Sequence, residues 1–159
     1  FSSCKKDEGI VGGYSASLRA WKVFKSSVND TYQYGVVSNS WTGYTAETTI
    51  SVKNGQVIQR FFTAKTTNGQ TGVATIVEQW IEEGATLNTH QMGAATLTMD
   101  AVYTKAKNEW LVKSEDKETY FETKNGGMIS TAGYWNKGCM DDCFTGINIS
   151  FIRKNINIL

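Results

Sequence analysis

The chain has 159 residues, 16 of them basic and 15 acidic, for a formal net charge of +1. That length suits one domain with a core of its own. Near-balanced charge, with no basic run longer than Lys5-Lys6, excludes the broad positive surface of a nucleic-acid binder, and no stretch reaches the length of a membrane-spanning helix.

In chain order, residues 1–13 read as an N-terminal motif and a polar tether, charged at first and then marked by Gly9 and Gly12-Gly13. Residues 14–159 read as a single globular domain. Tyr14, Leu18, Trp21, Phe24 and Val28 recur every three or four positions, which predicts a helix with one apolar face. Ser15 is placed to cap its start, and Asn29-Asp30 to end it.

The period then changes to two. Tyr32, Tyr34 and Val36 form one alternating run, and Ala46, Thr48, Ile50 and Val52 the next. Asn54-Gly55 follows at once and predicts a two-residue hairpin turn, because both central residues of a type I′ turn need positive φ. The return strand spans about 56–64. Residues 73–83 fit a helix by spacing, but their β-branched run after a turn favours a strand. Residues 84–95 form a long loop, a place where function is often carried.

Thr98 reads as the cap of a second helix, whose inward face is Met99, Val102, Tyr103, Ala106 and Trp110. Segments 119–124 and 128–134 flank Asn125-Gly126-Gly127 as a second hairpin. Residues 146–153 give the last strand, and the tail 155–159 either extends it or frays. The fold class is therefore α+β, an antiparallel sheet of six or seven strands with two packing helices, in the order α-β-β-β-β-α-β-β-β. Five Trp, seven Tyr and seven Phe suit a β-rich core with cross-strand aromatic pairs. The sharper alternative is a stacking platform for a sugar.

Phe1-Ser2-Ser3-Cys4, followed by Lys5-Lys6-Asp7, resembles the lipobox end of a bacterial lipoprotein signal peptide. Small residues precede the cysteine and a polar segment follows, with Phe1 where leucine is usual. The resemblance implies a leader already removed, a lipid on Cys4, and a location in the cell envelope, periplasmic or surface-exposed. In that oxidising setting, Cys139 and Cys143 remain as a natural disulfide pair. The competing reading is a two-thiolate metal pair, for which His90 is the one further soft ligand available. No metal or other cofactor is implied.

A looser likeness joins the chain to small bacterial lipoprotein domains of unassigned function. It rests on Tyr32 and Tyr34 before a strand ending in Asn54-Gly55, and on a later Gly133-Tyr134. It spans about 20–153 and implies no particular activity.

His90 is the sole histidine. A catalytic or metal-dependent site would gather it with Asp141 or Asp142, the carboxylate orienting the imidazole as a general base. The plainer reading makes His90 a hydrogen-bonded loop residue and has the aspartates satisfy loop amides. No nucleophile elbow, phosphate loop or zinc-protease motif occurs. Three functions follow as expectations. The first is a non-catalytic binding or inhibitory module with an unidentified protein or small ligand, its surface including Trp41, Tyr44 or Trp135. The second is a hydrolase-like or metal-dependent site on His90. The third is a structural envelope lipoprotein.

Overall fold

The computed structural model describes residues 3–141 and 143–155, the side chains of residues 3–8 excepted. Phe1 and Ser2 of the lipobox-like motif, Asp142 and the tail residues 156–159 lie outside the described residues. The elements are α1 (Ser3–Ser27), β1 (Tyr32–Asn39), β2 (Tyr44–Lys53), β3 (Gln56–Thr67), β4 (Ala74–Glu83), α2 (Met99–Lys105), β5 (Lys117–Glu122), β6 (Thr131–Asn136) and β7 (Phe144–Lys154). A short 3-10 turn at Gly84–Thr86 follows β4, and a π-helical turn at Ala106–Trp110 extends α2.

The seven strands form one antiparallel sheet in the order β4-β3-β2-β1-β7-β6-β5. Two meanders, β1 to β4 and β5 to β7, are joined where β7 pairs with β1. The first hairpin turns at Asn54 and Gly55, with φ of 49° and 77°, as the Asn-Gly pair requires. Residues 74–83 are a strand, so the β-branched run outweighs the helical spacing.

One sheet face carries the core. Tyr32, Tyr34, Ile50, Val52, Ile147 and Ile149 are buried there against Trp21 from α1, Val28 just after it, and Met99, Val102 and Tyr103 from α2. Three buried tyrosine hydroxyls find partners, as burial demands. The Tyr32 hydroxyl accepts from Met99 N at 2.8 Å, the Tyr34 hydroxyl donates to the Leu97 carbonyl, and the Tyr103 hydroxyl meets Ser17 Oγ at 2.7 Å. Asp100 accepts from Trp21 Nε1 at 2.8 Å and from Lys25 Nζ, locking α1 to α2. The opposite face bears Gln33, Thr49, Thr63 and Gln79, the pattern of an antiparallel sheet with one wet side.

Several expectations change in detail. The helix starts at Ser3, not near Tyr14, so 4–13 is helical where a tether was expected, and Ser15 lies inside the helix instead of capping it. Lys5, Lys6 and Glu8 are good helix formers and no proline interrupts the segment, so three glycines do not stop propagation. Gly13 faces the Phe121 ring, which a Cβ there would meet at 3.7 Å. Thr98 does cap α2, accepting from Ala101 N at 3.2 Å. The second hairpin pairs 117–122 with 131–136, shifted from the expected bounds. Around Asn125-Gly126-Gly127 the only pairing is an isolated bridge, Asn125 with Met128.

Candidate functional site

Residues paired across an antiparallel sheet share a face. Tyr34, Ile50, Arg60 and Glu82 therefore stand in one row across β1 to β4, on the core side. Val36 leads the next row, with Thr48, Phe62 and Trp80. Arg60 and Glu82 are thus polar residues at core positions, 3% and 0% exposed.

They form a two-pronged ion pair, with Arg60 Nε to Glu82 Oε2 at 2.9 Å and Arg60 Nη2 to Glu82 Oε1 at 3.0 Å. The loop after β4 supplies the rest. Glu82 Oε2 accepts from Asn88 N at 2.8 Å, and Oε1 from His90 N at 2.6 Å. Arg60 donates onward to the carbonyls of His90 (2.8 Å) and Ala94 (2.9 Å). A buried charge is tolerated only when paired and fully hydrogen-bonded, and here the loop backbone completes the shell. Donation by Arg60, followed by the loop amides, holds the Glu82 carboxyl well below the usual carboxylate range, against the opposing effect of burial.

His90 joins through its side chain. Nδ1 lies 2.9 Å from Glu82 Oε1. An ionised carboxylate only accepts, so Nδ1 carries the proton and Nε2 is the ring's remaining nitrogen. The imidazole stacks on Trp80 at 4.1 Å between centroids, Trp80 stacks on Phe62 at 4.9 Å, and the Arg60 guanidinium lies over the same indole. Gly93 lets the loop settle on this stack: its φ is +93°, and a Cβ there would approach Trp80 Cη2 to 3.1 Å. Ala94 N then donates to Thr48 Oγ1 at 3.0 Å.

Between the fixed loop and the sheet lies a groove of about 330 Å³. Val36, Tyr44, Ala46, Thr48 and Phe62 form its floor, and residues 91–94 its wall. No charged side chain lines it among the described residues.

The sequence-predicted residues fall in separate places. His90 meets a carboxylate, but that carboxylate is Glu82. Asp141 belongs to the β6–β7 connection, across β1 from β3 and β4, and Asp142 lies outside the described residues. Tyr44 is half-buried in the groove floor. Trp41 is 84% exposed in the β1–β2 turn. Trp135 is 40% exposed and meets Tyr120 and Phe144 at 5.7 and 5.1 Å between ring centroids, beside the Cys139–Cys143 loop. Cys139 and Cys143 form a disulfide, with Cα atoms 6.2 Å apart, so their thiolates are not available to a metal. Cys4 sits in the first turn of α1. The sequence reading singled out neither Arg60 nor Glu82. The usable signal was parity, since Glu82 shares its face with Trp80 and Arg60 shares its face with Phe62.

Comparison with protein-family models finds no match, and neither the curated proteins nor the solved structures compared give one. Among the described residues, no helix is long and apolar enough to cross a membrane.

Proposed function

We propose that this protein is a non-catalytic binding module, displayed on the bacterial envelope through a lipid on Cys4, with the groove over β1 to β3 as its ligand site. The observation that carries the reading is a groove whose wall is held by a buried ion pair before any ligand arrives. Its volume falls in the range of small-molecule sites. Its uncharged, largely apolar lining suits an uncharged, mostly apolar small molecule, oriented by the Tyr44 and Gln91 side chains. The exposed Trp41 and Trp135 rings add apolar surface elsewhere. The envelope location rests on the Phe1-Ser2-Ser3-Cys4 motif.

The neutral fluorescent probe N-phenyl-1-naphthylamine tests the groove. Its emission should rise on binding, and Ser38→Trp, at the exposed rim, should weaken binding about tenfold, or ~1.4 kcal/mol. Undiminished binding by that variant, or no binding at all, would refute the groove and leave a structural envelope protein. The anchor is tested separately by palmitate labelling, which should be lost in Cys4→Ala.

One observation favours a second reading. The Glu82-to-His90 Nδ1 contact is the arrangement that orients an imidazole base. In that reading His90 Nε2 activates a water against an ester. Turnover of p-nitrophenyl acetate that vanishes in His90→Ala would support it. Glu82's other bonds, to Arg60 and the loop backbone, instead support the structural role.

A further inference from the structure

We infer that the free edge of β4 is a strand-addition site for an extended partner segment in which lysine or arginine alternates with apolar residues. β4 is ten residues long and ends the sheet. Its outer side therefore presents backbone N–H and C=O groups with no strand beyond them among the described residues. Edge strands are usually blunted by lysine, proline or covering loops. β4 has neither lysine nor proline, and along it only Trp80 and Glu82 are not exposed.

It carries a bulge at Val77, where the register with β3 shifts, and the inward-pointing Glu82. That leaves the stretch from Glu78 to Glu83 as a regular template. Ile76, Val77 and Ile81 are more than half exposed, and Ile81 adjoins the partly exposed Phe61 of β3. An added strand would cover Ile81 on the outer face and continue the backbone ladder.

Charge selects the occupant. The ionisable residues of β4 are Glu78, Glu82 and Glu83. Arg60 neutralises Glu82, whereas Glu78 and Glu83 accept from the neutral donors Trp80 Nε1 and Gln59 Nε2. A second copy pairing through β4 would bring Glu78 and Glu83 of both chains onto one seam, and like charges on adjacent strands oppose pairing. Glu78 shares the face of Trp80 and Glu82, whereas Glu83 shares that of Ile81, so an alternating strand that sets its cations on the side of Glu78 turns its apolar residues toward Ile81. The proposal is independent of the groove, which opens over β1 to β3.

The test is fluorescence anisotropy of a short labelled peptide alternating lysine and valine, against the whole protein. Binding should be at least about tenfold tighter than for a glutamate–valine counterpart and should weaken with salt. A version of the lysine peptide N-methylated at alternate residues should not bind. The variant Glu78→Lys, shown folded by circular dichroism, should reverse the preference toward the acidic peptide. Equal affinity for both peptides, or binding unaffected by N-methylation, would overturn strand addition by a basic segment. So would sedimentation showing a dimer that Ile81→Lys dissociates, since a second copy would then own the edge.

Discussion

The His90 imidazole lies flat on the Trp80 indole, with planes 4° from parallel, while its Nδ1 reaches the buried Glu82 carboxylate. One side chain thus ties the loop to β4 by a stack and a hydrogen bond. His90→Phe keeps the stack and loses the bond; His90→Ala loses both. The expected costs are about 1 kcal/mol and about 2 kcal/mol, read from urea unfolding followed by tryptophan emission. Equal costs would mean that the stack contributes nothing.

Removing one partner of the ion pair strands the other in the core. Glu82→Ala should cost about 3–5 kcal/mol. The double variant Arg60→Met with Glu82→Leu removes both charges and should be more stable than Glu82→Ala. A double variant as unstable as the single would show that the loop bonds, rather than the stranded charge, dominate.

The same carboxylate sets an acid limb. Its folded pKa is depressed, mainly by Arg60, so the folded state binds this proton less readily than the unfolded chain. The stabilisation is complete above the unfolded value of about 4.3 and is lost as pH falls below it. Unfolding midpoints should hold between about pH 7 and pH 5, then drop toward about pH 3. Glu82→Gln, less stable at neutral pH, should show a shallower drop.

The Cys139–Cys143 disulfide closes a ring around three residues. Short rings restrict the unfolded chain little, so reduction should cost less than ~3 kcal/mol. Alkylation with mass spectrometry should find both thiols blocked by each other in the oxidised protein. A larger loss on reduction would assign the bridge a role in holding β6 to β7.

Gly133 in β6 lies under the Phe144 ring, and a Cβ there would also come within 2.5 Å of the Thr145 carbonyl oxygen. Backbone cannot yield as a flexible side chain can. Gly133→Ala should destabilise by about 2 kcal/mol or more, read as a fall in thermal midpoint. A neutral result would require the β6–β7 pair to shift.

Local chemistry in the sequence determined much of this molecule. Alternation set which residues of β1 and β2 face the core, Asn54-Gly55 set the turn between β2 and β3, and Thr98 set the start of α2. These are interactions within a few residues, so a single chain displays them. The start of α1 was not legible, because glycines weaken a helix without forbidding it. Only the tertiary structure decided that β7 docks on β1, and that Arg60, Glu82 and His90 converge. Those contacts join residues from separate strands and a long loop. Their partners are chosen by the burial of a charge that must be satisfied, and sequence neighbours do not reveal which distant group will satisfy it.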